Sequence, residues 1–298
     1  MNAEVLTTHR RWRDYLEITK PKVVVLLTFT ATAGMLLAAE PFPPWTVLIF
    51  GSIGIALVSA AAAALNQVVD QRIDAVMART RNRPLPRGQL ETPQAVAFAA
   101  LLGATGIWLL LAFTNLLCAI LTFASMLGYA VIYTMFLKRA TPQNIVIGGA
   151  SGAAPPLLGW IAVTGQFEPG AAILFAIVFV WTPPHFWALA IHRREDYAKV
   201  DMPMLPVTHG VELTRLHILL YTVLLFVFGL LPYLAGMSGL LYLIGAVILG
   251  GRFLWWAYRM YRRKDDSLAM PTFGYSIVYL FALFGVLLAD HYLLMLMP

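Results

Sequence analysis

Long apolar stretches alternate with short polar breaks along the chain. The stretches fall at about residues 23–39, 46–67, 94–113, 116–136, 143–163, 171–191, 216–235, 240–259 and 273–296. Each is close to the ~20 residues a helix needs to cross a bilayer core, so the pattern predicts an all-α bundle of nine transmembrane helices. The polar breaks are of two kinds. Those at Glu40–Trp45, Thr114–Asn115, Thr164–Gly170 and Ala235–Gly239 hold no Lys or Arg. All 21 basic residues lie in the others or in the adjoining span ends, in five clusters: Arg10–Lys22, Arg72–Arg87, Lys138–Arg139, Arg193–Arg215 and Arg252–Lys264. Basic residues gather in cytoplasmic loops. The alternation therefore predicts that all five clusters face the cytoplasm and that the bare turns lie outside. The N-terminus is then cytoplasmic and, with an odd number of spans, the C-terminus external.

Composition agrees. Hydrophobic residues make up 60% of the chain and charged residues 12%, far from a soluble average. The net charge of +6 resides in juxtamembrane loops, which argues against a nucleic-acid partner and for the lipid bilayer. The one cysteine, Cys118, lies in an apolar run, excluding a disulfide framework and a cysteine-based metal site. No small-residue cleavage site follows a short apolar core near the start. Residues 1–20 are expected to form a cytoplasmic amphipathic segment, with Trp12 and Tyr15 at the headgroup layer. The whole, residues 1–298, is expected to be one domain in a bacterial cytoplasmic (inner) membrane.

Chemistry concentrates at the cytoplasmic edge. In LNQVVDQRIDAVMARTRNRPLPRG, residues 65–88, Asn66, Asp70 and Asp74 are spaced four apart. On a helix they form one stripe, a hard-oxygen array suited to Mg²⁺. Arg72, Arg79, Arg81, Arg83 and Arg87 surround it. Acids beside many arginines suit a metal-bridged diphosphate, because guanidinium groups fork onto phosphate oxygens. A second constellation, WTPPHFWALAIHRREDYAKVDMPMLPVTHG, residues 181–210, is centred on Asp196, with Arg193, Arg194 and Lys199 nearby. His185 and His192 precede it seven apart, roughly on one helix face. Either could ligate iron or act as an acid or base, or simply cap a helix. Trp181, Phe186 and Trp187 could stabilise a cation through their ring faces, or pack. A third segment, YTMFLKRATPQN, offers Tyr133, Lys138 and Arg139 as diphosphate contacts at the same edge. Glycines and prolines inside the fifth and sixth spans suit close packing or a cavity wall. The second and sixth spans both run into an acidic, basic-rich loop, which suggests two related halves facing one cavity.

On KPKVVVLLTFTATAG, NQVVDQRIDAVMARTRNRPLP, YTMFLKRATPQNIVIGGASGAAPPLLGW and WTPPHFWALAIHRREDYAKVDMPMLPV, the chain resembles the intramembrane (UbiA-type) prenyltransferase superfamily. The RTRNRPLP, APPLLGW and PPHFWALA runs are similar to its haem-modifying branch. The resemblance implies transfer of the farnesyl group of farnesyl diphosphate to a vinyl group of protohaem IX (haem B). Water would be added, giving haem O and diphosphate, with Mg²⁺ required. It implies that Asn66, Asp70 and Asp74 form the first metal–diphosphate motif and Asp196 the second. Tyr133 and Lys138 then stand near the diphosphate; from their charge and place at the same edge, Arg79, Arg83, Arg139 and Lys199 are expected as further diphosphate contacts. His185, His192, Trp181 and Trp187 would form the acceptor pocket. One departure is clear: the superfamily's second motif usually has two Asp four apart, whereas His192 stands four before Asp196 and Asp201 five after. Two other readings fit less well: a prenyltransferase with an aromatic-acid or quinone-precursor acceptor, and a cation-coupled transporter, whose acids would lie nearer the midplane. The resemblance also points to a downstream partner, a terminal oxidase or a further haem-modifying enzyme.

Overall fold

The computed structural model describes residues 12–296, and every regular element in it is helical. A short helix α1 (12–18) turns by 54° into α2 (Pro21–Leu37). There follow α3 (Trp45–Asp74), α4 (Thr92–Phe113) and α5 (Leu116–Leu127). The last continues as a π-helix (Gly128–Leu137) and a final turn α6 (Lys138–Ala140). Next come α7 (Asn144–Thr164), α8 (Pro169–His192), the short α9 (Arg194–Ala198) and α10 (Leu205–Thr208), then α11 (Gly210–Leu234), α12 (Leu240–Arg263) and α13 (Ala269–Leu296). Eight of the described helical segments are long and apolar enough to cross a membrane, and the bent α1–α2 pair makes a ninth. The nine expected spans each find their helix. Residues 1–11 of the expected amphipathic segment lie outside the described residues. Trp12 is exposed, and Tyr15 packs edge-on against Phe98 of α4.

Helices α7 and α8 are the innermost spans. Helix α7 packs against α2 and α8, α8 against α11 and α13, and α3 against α4 and α2. With lipid outside, helix association rests on close van der Waals fit rather than on hydrophobic expulsion. The α2–α7 contact shows this. A Cβ at Gly34 would run into the Pro156 carbonyl, and one at Gly159 into the carbonyl of Ala31. The two backbones therefore touch directly where each helix carries a glycine. Both Pro155–Pro156 in α7 and Pro183–Pro184 in α8 lie within continuous helix.

One end of the bundle holds the basic breaks, and ion pairs knit them together. Arg194 and Arg215 both reach Asp266, and Lys264 reaches Glu212. At the bare end, polar side chains act as caps instead. Asn115 accepts from the Cys118 amide and donates to the carbonyls of Ile161 and Ala162. Asp290 accepts from the amides of Gly239 and Tyr242 at the start of α12.

Candidate active site

Helix α3 carries Asn66, Asp70 and Asp74 on one buried stripe at its basic end. Asn66 Nδ2 donates to Asp70 Oδ2 (3.0 Å) and to Thr134 Oγ1 (3.1 Å), and its Oδ1 accepts from Lys20 Nζ (2.5 Å). Asp70 Oδ2 also accepts from Lys138 Nζ at 2.6 Å. Asp74 accepts from Arg83 Nη1 at 2.5 Å. Each buried acid of the stripe thus has its own cation, as burial of charge favours. Asp70 Oδ1 is the exception: it is buried and has no partner among the described residues.

Local backbone choices aim these groups. Lys20 sits at the α1–α2 bend with φ 53°, a left-handed conformation uncommon outside glycine. Gln67 Nε2 donates to the Ile18 carbonyl, and Gln71 Nε2 to that of Leu85, latching α1 and the Arg-rich loop onto α3. Tyr129 and Lys138 are nine residues apart and would lie on opposite faces of a helix with 3.6 residues per turn. The wider i→i+5 winding of the π-helix returns them toward one face. Thr134 Oγ1 fixes that winding by donating to the Tyr129 carbonyl five residues earlier (2.7 Å). Tyr129 and Tyr133 then stack, ring centroids 5.5 Å apart.

Below this charged rim lies a cavity of about 570 Å³, within the ~300–1,000 Å³ typical of small-molecule sites. Lys20, Tyr129 and Tyr133 line its upper part, and apolar side chains of α2, α3, α7, α8 and α13 its body. Helices α3 and α8, the two spans expected to face one cavity, both line it. Trp181 and His185 stand on its α8 wall. Both are tied to Ser276 of α13: Trp181 Nε1 donates to the Ser276 carbonyl (2.8 Å), and His185 Nδ1 lies 2.6 Å from Ser276 Oγ.

Two of the expected acceptor residues stand elsewhere. Trp187 is fully buried on another face of α8, edge-on to Tyr221 and His217 of α11. Six residues from Trp181, it is rotated well away from the cavity. His192 ends α8 exposed and does not line the cavity. Phe186 and Phe273 line it instead. The acids of the two expected metal motifs stand on different elements, Asp70 and Asp74 on α3 and Asp196 on α9. Asp196, on α9, lies 3.9 Å from Arg193 and from Lys199, and no hydrogen bond or ion pair among the described residues joins it to Asp70 or Asp74. Among those residues no three His, Cys, Asp or Glu side chains converge as a metal cage. The two acidic segments do approach. Tyr197, next to Asp196, is raised above the usual phenol range by burial, with Arg79, Arg193 and Arg83 opposing the shift. Arg79 and Arg139 are exposed, and the Lys199 side chain is 61% exposed. Asp201 adopts a left-handed turn conformation, φ 49°.

A family model described as the UbiA prenyltransferase family matches residues 27–289. A relative named protoheme IX farnesyltransferase from Ectopseudomonas mendocina is 61% identical over 287 residues, 96% of each chain. One from Pseudomonas putida named protoheme IX farnesyltransferase 1 is 60% identical over 294 residues, covering 98% of this chain and 99% of its own. Among solved structures, a digeranylgeranylglyceryl phosphate synthase superposes with a TM-score of 0.79 at 20% identity, covering 95% of this chain and 99% of its own. A UbiA homologue from Archaeoglobus fulgidus bound to GPP and Mg²⁺ gives 0.63 at 15% identity, over 92% and 99%. The structural matches carry the fold, and the near full-length sequence matches carry the family. The chain belongs to the UbiA prenyltransferase family.

Proposed function

We propose that the protein transfers the farnesyl group of farnesyl diphosphate to a vinyl group of protohaem IX, adding water to give haem O and releasing diphosphate. The observation that carries prenyl transfer is the junction of two environments in one chamber. A rim holding Lys20, Asn66, Asp70, Asp74, Arg83 and Lys138 opens onto an apolar cavity. A prenyl diphosphate has the same two halves. The acceptor follows from the name the relatives bear at 60–61% identity.

The rim fits Mg²⁺. Asp70 Oδ1 is a buried carboxylate oxygen with no partner among the described residues, and Asn66 and Asp74 offer oxygens on the same stripe. Mg²⁺ is commonly held by one or two carboxylates, water and substrate phosphates rather than by an all-protein cage, which agrees with the lack of a three-acid cluster. Asp196 faces the diphosphate from the second acidic segment. When bound, Mg²⁺ supplies positive charge against the leaving diphosphate.

The chain's own cations add to that charge. Lys138 and Arg83 now pair with Asp70 and Asp74, and Lys20 with the Asn66 amide oxygen; in the Michaelis complex these cations meet phosphate oxygens, stabilising charge that grows as the C–O bond breaks. Tyr133, Arg79, Arg139 and Lys199 bound the same region. The apolar walls hold the isoprenoid and keep bulk water from the allylic cation. The acceptor's vinyl group attacks that cation from the side of Trp181 and His185. The basic end faces the cytoplasm of a bacterial inner membrane.

The test is an assay of the purified protein with protohaem, farnesyl diphosphate and Mg²⁺, read by product mass. A haem product heavier by a farnesyl and a hydroxyl group, absent with Asp70→Ala, is expected. Prenylation of a small phenolic acid with no haem product would overturn the acceptor.

A further inference from the structure

His185 is held more tightly than packing requires. Its ring lies between Trp181 (centroids 4.2 Å, 21°) and Phe273 (4.5 Å, 27°), with Phe186 edge-on at 5.0 Å. Ser276 Oγ donates its one proton to the Phe273 carbonyl at 2.6 Å. With that proton on the carbonyl, the hydroxyl oxygen accepts from His185, 2.6 Å away, and Nδ1 is the ring's donor. That leaves Nε2 as the ring's lone pair. It makes no protein hydrogen bond among the described residues, yet it is not among the buried atoms lacking a partner. Since His185 lines the cavity, Nε2 is the nitrogen left open to it.

A clamped imidazole with Nδ1–H on an oxygen acceptor and a free Nε2 is arranged as a metal ligand is: the second contact sets the tautomer and raises basicity. A proton carrier needs a path by which to discharge. Here the neighbouring rings are apolar, and the Ser276 proton is committed to a backbone carbonyl. A lone pair that is lent, not protonated, fits better.

We propose that His185 Nε2 ligates the iron of the haem acceptor and that Ser276 is the positioning residue that holds it in the ligating tautomer. This rests on the haem reading above. Ligation would hold the macrocycle against the α8–α13 wall and bring a peripheral vinyl group to the cavity's allylic carbon.

The experiment adds ferric protohaem to the purified full chain in lipid nanodiscs and records absorption and resonance Raman spectra. The wild type is expected to show a nitrogen-ligated haem spectrum. His185→Ala should lose it, and added imidazole should restore it by entering the slot between Trp181 and Phe273, which also shows that the variant is folded. Ser276→Ala should retain ligation with a lower iron–imidazole stretching frequency, since Nδ1–H loses its acceptor. A His185→Ala spectrum identical to the wild type would overturn the proposal, as would a wild type that forms farnesylated haem with no nitrogen ligation. A wild type forming no haem product would instead remove the acceptor reading beneath it.

Discussion

Lys138 Nζ sits 2.6 Å from Asp70 Oδ2 across 68 residues of chain, with the carboxylate 3% exposed. The contact joins the end of the π-helical span to the acidic stripe of α3. It also places an ammonium beside a buried acid at the charged rim. Removing one partner of such a pair leaves the other charge buried. Lys138→Met is expected to destabilise the protein by about 3 kcal/mol, and the double variant Lys138→Met/Asp70→Asn to recover most of that. Thermal unfolding in nanodiscs measures both. Both variants should lose prenyl transfer by about 100-fold or more, so stability and activity separate in the double variant.

Thr134 is buried between two roles, accepting from Asn66 Nδ2 and donating to the Tyr129 carbonyl. Thr134→Val keeps the shape and removes both bonds. An expected loss of about 1–2 kcal/mol should appear in unfolding. The sharper effect should be a raised Mg²⁺ requirement, because Asn66 is then free to turn from the stripe. An unchanged Mg²⁺ titration would show that Asn66 is oriented by Lys20 and Asp70 alone.

The nine spans and the acidic stripe could be read from the chain because each rests on a strong local period: ~20 apolar residues against lipid, or four-residue spacing on a helix. Lys20 could not be placed so easily. It looked like one more topology-setting lysine, and only the left-handed bend before Pro21 carries it to Asn66. The π-helix was hidden for a related reason. Nothing in GYAVIYTMFL marks a wider winding, and Thr134, whose hydroxyl closes it, reads as an ordinary β-branched residue. Gln67 and Gln71 did leave a trace: two amides four apart beside an acidic stripe fit a helix that binds loops on its flank. Trp187 and His192 lie off the cavity because aromatic and histidine residues clustered in sequence need not share a face.

The backbone contact between α2 and α7 predicts unequal effects from one substitution. Gly159→Ala meets the Ala31 carbonyl, while Gly274→Ala on α13 meets nothing within 4 Å. Helix propensity alone would favour alanine at both by about 1 kcal/mol. Gly159→Ala should instead lower stability by about 1–3 kcal/mol through overpacking, with reduced folded yield, and Gly274→Ala should be neutral or stabilising. Equal melting temperatures for the two would mean that α2 and α7 separate at little cost.

Trp181 and Trp187 offer the closing contrast, since they share a helix and a residue type but not a surrounding. Trp181 lines the cavity with its Nε1 tied to Ser276, whereas Trp187 is enclosed against α11. Truncating Trp187 to Ala should cost about 3–5 kcal/mol and leave the KM of the folded fraction for acceptor unchanged. Trp181→Phe keeps most of the apolar volume but removes the tie to α13 and narrows one wall of the His185 clamp. It should leave the melting temperature within a few degrees and raise the acceptor KM, with the KM for farnesyl diphosphate little altered. A rise in both KM values would place Trp181 against the isoprenoid chain, and a rise in neither would take it out of the acceptor pocket.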